Sequence, residues 1–228
     1  MISLPIEEAR YEIKFVSDFT RYDAALYWLL SHPLRFQEIY WERRVNNIYF
    51  DSYDLACYRE NIAGISERKK YRLRWYGETL CPKGANLEIK IRKNQLGWKL
   101  SHQIGDLPLL SQISHKRCIS HIEKSLPLEI GEDFARYSQV TLLSHYHRRY
   151  FLSLCGRVRA TVDRDLIVYD QRLGESFNLE APTPTPTILV LELKASYKDR
   201  DILSRATDTI SFRYSRNSKY ALSIANLI

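Results

Sequence analysis

The chain has 228 residues, 45% of them hydrophobic, with 34 Lys and Arg against 27 Asp and Glu and a formal net charge of +7. That is enough apolar material for one substantial core and argues against a disordered or low-complexity chain, while the basic balance favours an anionic partner without naming its class. Cys57, Cys81, Cys118 and Cys155 form no CxxC pair, acids stand at Glu7 and Glu8, and the longest strongly apolar run is ILVL at 188–191. These features argue against a disulfide framework, a zinc site, a signal peptide and a bilayer span, so one cytoplasmic domain over residues 1–228 is expected.

In chain order, residues 10–16 alternate as a strand, and Asp18 is placed to cap a helix with Phe19, Tyr22, Leu26 and Leu29 on one side before Pro33. A strand over 46–50 and a short helix over 54–61 follow, then strands over 67–76, 86–93 and about 97–104. Residues 106–134 lack strand alternation and read as two or three short helices broken at Pro108 and Pro127. Long strands are expected over 138–154 and 157–169, then a stiff connector, APTPTPT at 181–187. The last strand covers 188–196 and the last helix 215–228. About eight strands in mostly antiparallel order with flanking helices make an α+β fold.

Several of these strands are charged on one face and apolar on the other. In LEIKIRKN, Glu88, Lys90 and Arg92 oppose Leu87, Ile89 and Ile91. Glu12 and Lys14 share a face in YEIKF, Arg72 and Arg74 in KYRLRWYG, Arg159, Thr161 and Asp163 in VRATVDRDL, and Glu192 and Lys194 in ILVLELK; Tyr146 and Arg148 stand together in HYHRRYF. For a single strand, a wet outer face is the ordinary reading. Repeated Glu-x-Lys and Arg-x-Arg pairs point instead to a closed barrel with its charged faces inward. Such an interior holds seven cations (Lys14, Arg72, Arg74, Lys90, Arg148, Arg159 and Lys194) against Glu12, Glu88, Asp163 and Glu192, an excess of three. A triphosphate with a divalent cation comes close to neutralising it, arginines gripping phosphate and carboxylates holding metal.

Other candidates are weaker. His145 and His147 share a strand face but have no third ligand at a recognisable spacing, and no Gly-rich phosphate loop or GxSxG motif occurs. Tyr71 and Trp75 could stack bases, yet they alternate away from Arg72 and Arg74, so a core role is favoured and no nucleic acid is expected.

Taken together, RYEIKF, IYFDS, KYRLRWYG, LEIK, GWK, YHRRYF, VRATVDRDL, LELK and SRNSKY, in this order along nearly the whole chain, resemble the triphosphate tunnel metalloenzymes (CYTH-like). Within them the sequence is similar to the polyphosphate polymerase domain of the vacuolar transporter chaperone type. The resemblance implies an eight-stranded antiparallel β-barrel tunnel with flanking helices. It also implies a metal-dependent polymerase that moves the terminal phosphoryl group of ATP onto a growing polyphosphate chain. A triphosphatase of the same fold, acting on inorganic or nucleoside triphosphate, and a non-catalytic polyphosphate- or nucleotide-binding module are the alternatives. Carried over by position, Arg72, Arg74, Lys90, Arg148 and Lys219 are the catalytic cations. Lys14, Lys99, Arg159, Lys194 and Arg216 join them in binding substrate, and Arg216 and Lys219 line one mouth. Glu192, with Glu12 and Glu88, is expected to hold Mn2+ or Mg2+. Lys99 follows LEIK at a shortened spacing, and Arg216 stands where the pattern has lysine. No phosphate-sensing module before the domain and no membrane segment after it are expected.

Overall fold

Two-sided strands of this kind can shield a charged face by closing on themselves, and in the structure they do. A computed structural model of the chain describes residues 5–208, 210–215 and 218–228. Its strands are β1 (Arg10–Asp18), β2 (Gln37–Asp51), β3 (Glu67–Tyr76), β4 (Ala85–Lys93), β5 (Leu96–Gly105), β6 (Gln139–Leu152), β7 (Val158–Asp170) and β8 (Ile188–Ser196). They form a closed barrel in the order β1-β5-β4-β3-β2-β6-β7-β8, with every neighbouring pair antiparallel. β1 pairs with β8 along its whole length, from Arg10 opposite Ser196 to Asp18 opposite Ile188. Its contact with β5 is one registered pair, Arg10 opposite Gly97, so the barrel is closed most thinly there.

Outside the barrel lie α1 (Tyr22–Ser31), α2 (Ala56–Ile62), α3 (His115–Lys124), α4 (Leu128–Ala135), α5 (Arg200–Thr207) and α6 (Lys219–Ala225). They cover the apolar faces of the strands. Tyr71, Leu73, Trp75, Leu87 and Ile89 are fully buried in one cluster with Phe134 and Tyr220 from the helices. In a second cluster Val158, Ala160, Val162, Leu189, Leu191 and Leu193 pack with Ala25, Leu29 and Leu203. Tyr71 and Trp75 are thus core residues, and their polar ends are satisfied by Asp133 and by the Thr79 carbonyl, at 2.6 and 3.1 Å. Among the described residues no helix is long and apolar enough to cross a membrane.

Four elements differ from the sequence reading. Asp18 caps a 3-10 turn over Phe19–Arg21, accepting from Thr20 N, and α1 begins only at Tyr22. β2 starts at Gln37 instead of 46, because register shifts between Glu38 and Tyr40 and between Tyr40 and Arg43 break the two-residue period that marks a strand. α5 has no counterpart in the sequence reading; at eight residues it buries little more than Leu203 and Ala206. α6 begins at Lys219, where Ser218 accepts from Ala221 N at 3.2 Å, and not at 215. Residues 106–134 do yield two helices, with Ser114 capping α3 and Pro127 at the start of α4.

Candidate active site in the barrel interior

Register decides which charges meet. Across β3 and β4, Arg72 faces Glu88; across β6 and β7, Arg148 faces Asp163; across β1 and β8, Glu12 faces Lys194 and Lys14 faces Glu192. Side chains of such partners stand on the same face, here the inner one. Arg72, Arg74, Glu88, Arg148, Asp163 and Glu192 are all buried.

Arg72 donates to Glu88 Oε2 from Nε and Nη2, at 2.7 and 2.5 Å. Arg74 Nη1 lies 3.6 Å from the same oxygen, and Lys99 Nζ lies 3.1 Å from Oε1. Burial alone raises the Glu88 carboxyl, but Arg72, Arg74 and Lys99 outweigh it and hold the group far below the usual carboxylate range. Arg148 takes Asp163 in a two-pronged pair at 2.5 and 2.7 Å, and Lys219 Nζ reaches Asp163 Oδ2 at 2.5 Å. Against the upward push of burial, these two cations hold Asp163 down to about 2.

The third group is built from β1 and β8. Lys14 Nζ is 3.2 Å from Glu192 Oε1 and 3.7 Å from Glu12 Oε2; Lys194 Nζ is 3.1 Å from Glu192 Oε2 and 3.5 Å from Glu12 Oε1. Burial favours a neutral Glu192, yet Lys14, Lys194, Lys90 and Arg148 keep it ionised, well below the ordinary range. Lys90 faces Lys99 and Lys70 across the ladders. Burial and then Arg72 push its ammonium well below the ordinary lysine value.

α6 closes on this interior through an anchor outside it. Asp51, from IYFDS, accepts from Cys57 N and Tyr58 N at the start of α2, at 2.8 and 3.1 Å, and from the Tyr220 hydroxyl at 2.5 Å. The neighbouring Lys219 is thereby set over the Tyr146 ring, 4.6 Å from its centroid.

The barrel therefore brings together Glu12, Lys14, Arg72, Arg74, Glu88, Lys90, Lys99, Arg148, Glu192, Lys194 and Lys219. Arg159 sits opposite Lys194 but is exposed and makes no ion pair among the described residues. Arg216 lies outside the described residues. Among the described residues no three His, Cys, Asp or Glu side chains cluster as a ready metal site. Glu12 and Glu192 share two lysines, whereas Glu88 is tied to Arg72, Arg74 and Lys99, so the three expected ligands do not meet in one group. Tyr146, placed beside Arg148 by the sequence reading, accepts from Arg74 at 2.9 Å. Two interior contributors escaped that reading: Asn47 accepts from Arg74 at 3.1 Å, and Lys70 donates to Ser218 at 2.7 Å. Lys70 carried a usable signal, since it alternates with Arg72 and Arg74.

Residues 9–228 match the VTC domain. The chain belongs to the VTC domain family. No curated protein sequence matches it. Among solved structures, this VTC domain is similar to a candidate adenylyl cyclase from Hippeastrum described by a dominant triphosphatase activity, at 12% identity and TM-score 0.54, covering 96% of this chain and 95% of that one. A candidate adenylate cyclase from Vibrio parahaemolyticus matches at 13% identity and TM-score 0.49, over 93% and 98% of the two chains. The Hippeastrum likeness shows that the VTC domain has the triphosphate tunnel fold, as the closed eight-stranded ring also does.

Proposed function

We propose that the barrel interior binds a nucleoside triphosphate and that the protein is a metal-dependent polyphosphate polymerase, transferring the terminal phosphoryl group of ATP to a growing chain. The observation that carries this reading is the unbalanced interior. Lys14, Lys70, Arg72, Arg74, Lys90, Lys99, Arg148, Lys194 and Lys219 face Glu12, Glu88, Asp163 and Glu192, and Lys90 makes no hydrogen bond or ion pair among the described residues. Burying that excess is unfavourable without a polyanion, and a triphosphate supplies one.

In this reading Arg72 and Arg74, two residues apart on β3, take neighbouring phosphates with their planar forks. Lys90, Arg148 and Lys219 stabilise charge on the transferring phosphoryl group, and the chain end attacks in line. Catalysis is positioning and charge neutralisation, with no covalent intermediate on the protein. The donor set fits a hard divalent cation: Glu192 is buried and ionised, and the Thr161 hydroxyl registered beside it is buried without a hydrogen-bond partner. Glu192 and Glu12 would hold Mn2+ or Mg2+, which supplies charge neutralisation on the phosphates. Glu88, which accepts from both Nε and Nη2 of Arg72, serves to orient that guanidinium.

The Hippeastrum protein's triphosphatase activity favours a second reading, in which water replaces the chain end as acceptor. Incubating purified protein with ATP and Mn2+ and resolving the products tests both. Long phosphate chains support the polymerase, free phosphate the hydrolase, and neither product leaves only a binding module.

A further inference from the structure

Arg43 stands on the inner face of β2, in register with Arg148 on β6. Its surroundings differ from those of Arg72 and Arg148, each of which meets a carboxylate. The Arg43 Cζ is 4.6 Å from the Tyr40 ring centroid, 4.7 Å from Tyr76 and 4.6 Å from Tyr150. Among the described residues it makes no hydrogen bond and no ion pair, and its buried Nε has no acceptor. The Tyr150 hydroxyl beside it is likewise buried without a partner. Tyr40 and Tyr76 are 54% and 43% exposed, so the cage opens to solvent at the rim of the barrel. On its inner side it is continuous with the interior cations, because the Tyr150 ring is also 5.9 Å from Arg148 Cζ.

Ring faces attract a guanidinium but offer its N–H groups no lone pairs in the guanidinium plane, where the donors point. The cage thus fixes the plane of the fork and leaves its donors unused. A cation held in that way is matched by an anion with paired oxygens, and phosphate has that geometry. We propose that Arg43 and its tyrosine cage form an outer phosphate subsite, which holds a phosphate of a chain longer than the triphosphate gripped by the inner cations. The proposal rests on the polyphosphate reading above. A nucleoside stacked at this rim is the less favoured occupant, since a face of each ring is already taken by Arg43.

The test is calorimetric titration of wild type, Arg43→Gln and Arg43→Lys with three probes: inorganic tripolyphosphate, ATP and long-chain polyphosphate. Arg43→Gln is expected to weaken long-chain binding about five- to tenfold while leaving the two triphosphates within about twofold. Arg43→Lys, which keeps charge without the fork, should resemble the Gln variant more than wild type, and it carries the comparison alone if Arg43→Gln melts early. Loss confined to ATP would place a nucleoside at the rim; equal loss for all three probes would mean general attraction or disruption; no loss would make the cage mere packing. Each of those results overturns the subsite. If wild type bound none of the probes, the polyphosphate reading itself would fail.

Discussion

Asp163 gives the sharpest test of how the charged interior is held together, because one substitution should move stability and affinity in opposite directions. The side chain is 2% exposed, accepts from Arg148 at 2.5 and 2.7 Å, and accepts from Lys219 at 2.5 Å. Asp163→Asn keeps the shape but leaves two cations facing a neutral amide. Removing one partner from a buried pair costs roughly 3–5 kcal/mol, and in a chain of this size each kcal/mol is worth roughly 2–4 °C, so the melting temperature should fall by roughly 10 °C. Wild type should lose part of that contribution in acid. The carboxyl is depressed from 3.8 to about 2, so its stabilisation is present above pH 4 and disappears as pH falls toward 2. Binding should respond the other way, since phosphate oxygens placed against Arg148 and Lys219 no longer compete with a carboxylate. At an effective dielectric of about 20, a like charge removed from about 5 Å is worth roughly 3 kcal/mol. Part of that gain is lost with the orientation of the Arg148 fork, leaving about 1–2 kcal/mol, or roughly tenfold tighter tripolyphosphate. Thermal unfolding with and without tripolyphosphate, alongside calorimetry, measures both effects. An unchanged melting point, or binding weakened instead of tightened, would refute the idea that Asp163 occupies the place of substrate charge.

Glu192→Gln should abolish metal-dependent turnover while the protein still folds; near-full activity at limiting metal would remove Glu192 as the principal ligand. Arg72→Lys keeps charge but loses the planar fork, so triphosphate affinity or turnover should fall about tenfold, roughly 1.4 kcal/mol, whereas the exposed Arg200→Lys should change little. Lys70 is pushed down to about 7 by burial, then by Lys14 and Arg68, so above neutral pH the protein without substrate holds it largely unprotonated. A bound triphosphate favours the ammonium, which means binding takes up protons and weakens as pH rises through 7 to 9. Calorimetry in buffers of different ionisation enthalpy reads that uptake directly, and zero uptake at pH 8 counts against Lys70 as a phosphate ligand. Tyr220→Phe cuts the bond to Asp51 that seats α6 and should cost about 1–2 kcal/mol by denaturant unfolding; no loss would mean that packing alone positions Lys219.

The inward charges were legible because a strand has a period of two: Glu12 with Lys14, Arg72 with Arg74 and Glu88 with Lys90 declare a shared face wherever the strand ends up. Pairing was not legible, because it is set by register between strands. Nothing in the spacing of LEIK says that Glu88 meets Arg72, and that meeting is what separates it from Glu12 and Glu192. Arg43 was hidden for a local reason, since the register shifts near Tyr40 erase alternation over the half of β2 that carries it. The anchoring role of Asp51 was hidden too, as its partner Tyr220 lies 169 positions away.

The central claim is that the barrel interior is a specific triphosphate site and not a diffuse basic surface. Calorimetric titration of the protein with inorganic tripolyphosphate, at low salt and again near 0.15 M, tests it most directly. The account predicts one saturable site per chain that persists at the higher ionic strength, because Arg72, Arg74 and Arg148 are buried within the barrel. Several weak sites that vanish with added salt would contradict it.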